Sequence, residues 1–252
     1  MKFLIMVLCC LVSFTGVVSA RGSKDLETMR NELVKGGYIW QDTVKPSVVT
    51  NNSGFIPDGE YTSLVPEERH SGNRYVPLPG SNGTLCIGYR PVTVGDYKKY
   101  LKFLDEPVEK DVVFDDCPVT AISYNDVQKY CEWLTLWDDV YGYRLPTEEE
   151  WMRAAGPMPR KYKKMKINAM ESGMLLPSDA YDMTVSDCGA IDMWGNVWEF
   201  TSSEGEKGMI LKGGSYQTPK EYCQTEYGGE TLGKDSFYED VGFRLIRYVK
   251  TE

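Results

Sequence analysis

The side chains able to do chemistry in this chain are few. Of its seven cysteines, Cys9 and Cys10 fall in the apolar N-terminal stretch, leaving Cys86, Cys117, Cys131, Cys188 and Cys223 further on. A thiolate is both a nucleophile and a soft metal ligand. In an oxidising compartment, five thiols permit at most two disulfides and leave one over. Their spacing fixes no pairing, and each could equally be a buried small hydrophobe. Histidine is scarcer: His70 is the only one, in the polar stretch Glu67-Glu68-Arg69-His70-Ser71-Gly72. Metal centres that take two or three imidazoles from one chain are thereby excluded. A Ser-His-Asp or Cys-His relay has a single residue to work with, and we assign His70 to solvent.

The compartment is read from residues 1–20. Lys2 gives a positive start, Phe3 to Val12 an apolar run, and Val18-Ser19-Ala20 a small-residue ending, which is the pattern of a signal peptide. Lipidation is disfavoured, since Leu8 precedes Cys9 and Cys9 precedes Cys10. No later segment approaches the roughly 20 apolar residues of a transmembrane helix, so a secreted or periplasmic protein is expected. With 28 basic and 37 acidic residues the net charge is −9, which argues against nucleic acid and anionic membranes as partners.

The elements that must hold these groups follow from periodicity and capping signals. Residues 21–48 read as an N-terminal arm, with an amphipathic stretch from Asp25 to Val34 before Gly36-Gly37. Residues 49–252 read as one domain, because no linker divides them. Asn51-Asn52-Ser53 and Asn82-Gly83-Thr84 fit the glycosylation pattern. Tyr97, Tyr100, Leu101 and Leu104 recur at helical spacing and predict a helix over about Val94 to Leu104. A second helix starts at Ser123, with Asp126 three residues on, and buries Val127, Tyr130, Cys131 and Leu134. The third is capped by Thr147 with Glu150 and stopped by Gly156-Pro157, with Trp151, Ala154 and Ala155 facing inward. The basic run Arg160 to Lys166 reads as a solvated loop. The remainder is short and punctuated by glycine, so helices followed by irregular strands imply an α+β fold.

Six ordered segments resemble the formylglycine-generating-enzyme, or sulfatase-modifying-factor, family. They are Pro91 to Tyr97; Cys117 to Val127 with Tyr130-Cys131-Glu132-Trp133-Leu134; Arg144-Leu145-Pro146-Thr147-Glu148-Glu149-Glu150-Trp151; Asp192-Met193-Trp194-Gly195-Asn196-Val197-Trp198-Glu199-Phe200-Thr201; Leu211-Lys212-Gly213-Gly214-Ser215-Tyr216; and Val241-Gly242-Phe243-Arg244. The resemblance implies that family's C-type-lectin-like fold: few helices, irregular antiparallel strands and long loops. Each segment also has a plain structural task. Gly195-Asn196 suits a turn needing positive φ, Trp194 and Trp198 read as core aromatics, Gly213-Gly214 permits close backbone approach, and Arg244 between Phe243 and Leu245 would need buried acceptors.

What the resemblance implies about chemistry is narrower. Catalytic members use copper and two cysteines just after the "GGS" strand to oxidise a sulfatase cysteine. Here the second is kept as Cys223, the catalytic candidate, while Thr218 stands at the first. A hydroxyl is a poor ligand for Cu(I), so copper is not expected. The related iron-dependent sulfoxide synthases use three histidines and are excluded. A calcium site is implied by the "GN-x-WE" turn, through Asp192 and Glu199 and the main chain of Gly195 and Val197; oxygen donors suit that ion. Asp192 could instead be a turn former and Glu199 a structural acceptor. Three readings remain: a non-oxidase module presenting loops to a protein or glycan partner at the cell surface or periplasm, an oxidase with a rearranged cysteine site, and a structural component of a surface or secretion assembly or of a virion.

Overall fold

Three helices stand where the sequence signals place them. The computed structural model describes residues 73–106, 114–181 and 184–251; the expected signal peptide and N-terminal arm, His70 and the Asn51 glycosylation pattern lie outside the described residues. Helix α1 spans Val94–Phe103, and its N-cap Thr93 accepts from the Asp96 amide. Helix α2, Tyr124–Trp137, begins in a full reciprocal capping box of Ser123 and Asp126. Helix α3, Glu148–Ala155, does the same with Thr147 and Glu150 and ends at Gly156 with φ +72. Each box satisfies amides that would otherwise lack partners at a helix start.

Eight strands form two four-stranded sheets. They are β1 Tyr75–Pro77, β2 Leu85–Gly88, β3 Tyr141–Arg144, β4 Trp198–Glu204, β5 Met209–Lys212, β6 Gly228–Glu230, β7 Val241–Phe243 and β8 Ile246–Val249. One sheet runs β1-β2-β8-β3 and is antiparallel throughout, with Cys86 opposite Arg247 and Gly142 opposite Tyr248. The other runs β6-β5-β4-β7. Its β4–β7 pair is parallel, with Glu199 opposite Gly242, a departure from the purely antiparallel expectation. The sheets are joined at Arg244-Leu245, where β7 passes directly into β8.

Two apolar clusters fill the spaces beside the sheets. In the first, Tyr97, Tyr100, Tyr130 and Trp133 of α1 and α2 meet Phe200 and Phe243, with Tyr130 edge-on to Phe243 at 5.5 Å between ring centres. In the second, Trp151, Ala154 and Ala155 of α3 meet Trp194, Met193, Ile87 and Ile246. The stripes expected of all three helices thus face inward.

The cysteines depart from expectation. Among the described residues no disulfide is formed, and Cys117, Cys131, Cys188 and Cys223 keep their thiols. Cys131 is 3% exposed on the inner face of α2. Burial there pushes its thiol far above the ordinary range, so it packs as a small hydrophobe. No helix among the described residues is long and apolar enough to cross a membrane.

Candidate functional site

The turn leading into β4 is tightly held. Asp192, Gly195 and Asn196 have φ of +55, +90 and +64, and Val197 N–H closes onto the Gly195 carbonyl at 2.9 Å. A side chain at Gly195 would put its Cβ 2.3 Å from the Asn168 carbonyl oxygen, so only glycine fits. Asn196 is 1% exposed, and both ends of its amide are used. Its Nδ2 donates to Leu176 O and Asp192 Oδ2, and its Oδ1 accepts from Asn168 Nδ2 and Leu176 N. The turn is thereby knotted to the 168–176 loop. Burial pushes the Asp192 carboxyl up to about 7, with Glu199 and Asp179 acting the same way against the Asn196 hydrogen bond and the Arg244 charge.

Glu199 lies seven residues after Asp192, on β4, and is fully enclosed. Arg244 meets it in a two-pronged pair, Nε to Oε2 and Nη2 to Oε1, each 2.6 Å. Trp151 Nε1 donates to Oε2 at 2.7 Å. Neither charged side chain is exposed. The rest of the guanidinium donates to the carbonyls of Gly88, Ile191 and Asp192. The acceptors foreseen for Arg244 are therefore Glu199 and three main-chain oxygens. This geometry bears on the calcium ligand set of Asp192, Gly195, Val197 and Glu199. Both Glu199 oxygens are engaged by cationic or N–H donors, and the Gly195 carbonyl is closed by Val197. The four residues do not fit a calcium ion as arranged; a guanidinium supplies the positive charge to Glu199 and to the Asp192 carbonyl.

Cys223 sits on the next loop, beside that turn. Gly195 N–H donates to Gly213 O, and Tyr216 N–H to Asn196 O, both at 2.9 Å. After β5 the backbone turns through Gly213 and Gly214, with φ of +102 and +79. A Cβ on Gly214 would fall 2.5 Å from the Cys223 sulfur, so the thiol occupies the space that glycine leaves. Cys223 is fully buried, and the carbonyls of Thr218, Pro219 and Ser215 lie 3.6, 3.7 and 3.9 Å from its sulfur. Burial pushes its thiol up to about 12, helped by the nearby Glu171 and Glu221, which favours a neutral S–H over a thiolate.

Thr218, at the position of the missing cysteine, has a structural task. Its Oγ1 accepts from the Ser215 amide at 3.1 Å and lies 3.1 Å from Ser215 Oγ. Ser215 Oγ donates to Asp240 Oδ2 at 2.6 Å, tying the loop to the start of β7. The partners described for the Cys223 sulfur are carbonyl oxygens and not a second sulfur, and Cys86, Cys117, Cys131 and Cys188 lie on other segments of the chain. One thiol ringed by carbonyls does not fit a two-sulfur Cu(I) site.

Some of this machinery was not foreseen. Tyr162, inside the basic run, is buried and donates its hydroxyl to the carbonyls of Lys220 and Cys223; its one signal was an aromatic residue amid lysines. Lys212 is 1% exposed, with Glu148 Oε1 as its ion-pair partner at 3.5 Å. Nothing in the sequence marked it as buried beyond its place in a strand.

The model of the sulfatase-modifying factor enzyme 1-like domain matches residues 41–249. Curated relatives include the bovine (Bos taurus) protein named inactive C-alpha-formylglycine-generating enzyme 2, 32% identical over 155 residues, covering 50% of this chain and 49% of the relative. Another is hercynine oxygenase of Mycobacterium tuberculosis, 35% identical over 107 residues, covering 37% of this chain and 23% of the relative. The match thus spans about half the length of the bovine relative and less of the mycobacterial one. Among solved structures, PvdO from Pseudomonas aeruginosa superposes with a TM-score of 0.56 at 18% identity, covering 71% of this chain and 92% of PvdO. Treponema denticola variable protein 1 does so at 0.52 and 15%, covering 70% and 92%. These two likenesses show the fold alone.

Proposed function

The chain belongs to the sulfatase-modifying factor enzyme 1-like family, and from that premise we propose that it is an extracytoplasmic binding or scaffold domain which performs no copper-dependent cysteine oxidation. The observation that carries this reading is the state of the two positions that oxidation would require. Thr218 gives its hydroxyl to the Ser215 turn, and Cys223 is a buried thiol whose ionisation is strongly opposed. A thiol must ionise to bind Cu(I) tightly or to attack. The printed name of the bovine relative, an inactive enzyme, supports the same reading. The extracytoplasmic setting rests on the signal-peptide pattern of residues 1–20. The partner is a protein or a glycan of the cell surface or periplasm, reached through the loops at 156–170 and 213–227.

The test is direct. The full chain is incubated with Cu(I), oxygen and a cysteine-containing peptide, and oxygen uptake and peptide aldehyde are followed. Neither is expected, and titration should show no tight copper binding. Aldehyde that is lost in Cys223→Ser would overturn the reading and make the protein an oxidase of target cysteines.

A further inference from the structure

The segment Arg160 to Lys166 carries five cations in seven residues, and no acidic residue occurs between Glu150 and Glu171, in a chain of net charge −9. Arg160, Lys161, Lys163, Lys164 and Lys166 are all exposed. None forms an ion pair with another described residue. A free coil of lysines would lose much entropy on binding, but this run is not free. It contains a 3₁₀ turn at Tyr162–Lys164, its Tyr162 ring is buried, and Thr184 Oγ1 donates to the Lys166 carbonyl at 2.6 Å. Lys220 crosses from the Cys223 loop, donating to the carbonyls of Lys163 and Met165 and lying 5.5 Å from the centre of the Tyr162 ring. The cations are solvent-exposed, as the sequence led us to expect, and they are displayed by an ordered backbone.

Two exposed aromatics follow Lys220 in the chain. Tyr222 and Tyr227 are 50% and 46% exposed and meet edge to face at 5.4 Å. Exposed tyrosines offer flat apolar faces with a polar tip, suited to the C–H faces of sugar rings. A dense basic run is the charge pattern that meets repeated sulfates. From this combination we propose that the surface formed by residues 160–166 and 220–227 binds a sulfated polysaccharide, a proposal that rests on the extracytoplasmic binding reading and names its ligand. The regular charge of such a polymer matches five exposed cations that have no ion-pair partner among the described residues, and the tyrosine pair contributes affinity that does not depend on charge. Glu221 and Glu226 are exposed on the 220–227 stretch, so the sulfates are met by the 160–166 run and the 220–227 stretch contributes its tyrosine faces.

Heparin oligosaccharide is the probe, with neutral dextran and poly-glutamate as comparisons, measured by titration calorimetry on the full chain at rising salt. Heparin is expected to bind and to weaken with salt, poly-glutamate to bind less well, and dextran not at all. Lys161→Gln/Lys163→Gln/Lys164→Gln should weaken heparin by about tenfold. Because these side chains are exposed and have no ion-pair partner among the described residues, the melting temperature of this variant should match the parent's. Tyr222→Ser/Tyr227→Ser should weaken heparin while leaving the salt dependence unchanged, and Lys102→Gln/Lys207→Gln, exposed elsewhere, should change nothing. No heparin binding, equal binding to poly-glutamate, or a triple variant that binds like the parent would each overturn the proposal. Aldehyde production by the same preparations would instead sink the non-oxidase reading and leave this surface standing.

Discussion

Replacing Glu199 by alanine removes one side chain and strands two partners. Arg244, with no exposed side-chain surface, would keep only the carbonyls of Gly88, Ile191 and Asp192, and Trp151 Nε1 would lose its acceptor. Leaving one member of a buried ion pair unpaired costs about 3–5 kcal/mol, and an unsatisfied buried N–H about 1–3 kcal/mol. The two overlap because they share the carboxylate, so the expected loss is about 4 kcal/mol, or a fall of roughly 10 °C in melting temperature. Removing both charges, as Glu199→Leu/Arg244→Met, should do better than the sum of the single changes by at least about 1 kcal/mol, since no lone charge is left buried. Urea unfolding followed by tryptophan fluorescence measures all four corners of this cycle, with an unchanged urea slope as the check that the variants share one folded state. A single-variant loss under about 1 kcal/mol, or additive singles, would refute the view that the pair is a closed electrostatic unit.

Three further outcomes follow from the same structure. Millimolar calcium and chelator should give superimposable thermal melts, because Glu199 already faces Arg244; a rise with calcium would show that the ion displaces the guanidinium. Native Cys223 should resist iodoacetamide at pH 8 and react once unfolded, since burial holds its thiol near 12; stoichiometric labelling of the native protein would contradict this. Burial alone would raise the Glu150 carboxyl, but hydrogen bonds from Arg144 and the Thr147 amide outweigh it and hold the group below the ordinary glutamate range. Its contribution is therefore present above the unfolded pKa and is lost as pH falls through the folded one, so Glu150→Gln should flatten the acid side of a stability-against-pH curve. A variant curve parallel to the parent's would disprove it.

Local signals carried far in this chain because many of them act within a few residues. Thr147 and Glu150 are three apart, and their box is closed by near neighbours alone, with Arg144 bracing the Glu150 carboxylate; that of Ser123 and Asp126 is as local. Gly195-Asn196 announced a positive-φ turn, and a charged Arg244 between two apolar neighbours announced buried acceptors. Which acceptors could not be read, since Glu199 lies 45 residues from Arg244 and the parallel β4–β7 pairing that aligns them is set by the fold. The calcium expectation failed to fit for the same reason: the residues of the turn were visible, and the guanidinium reaching in from the β7–β8 junction was not. Tyr162 escaped because composition marked its segment as solvent-facing, whereas one aromatic ring is enough to pin such a segment to the Cys223 loop.

The junction at Arg244-Leu245 also bears on the order in which the chain can be assembled. In one sheet β8 lies between β2 and β3, and in the other β7 is the parallel neighbour of β4, so neither sheet is complete until residues 241–249 have been made. The β1–β2, β4–β5 and β5–β6 pairings are local, but β2 and β3 meet β8, and β4 meets β7, only across long stretches of chain, and such distant pairings fold slowly. A polypeptide emerging from its N-terminus could form these local pairs early, but it would leave both sheets open until the β7–β8 stretch arrives to close them.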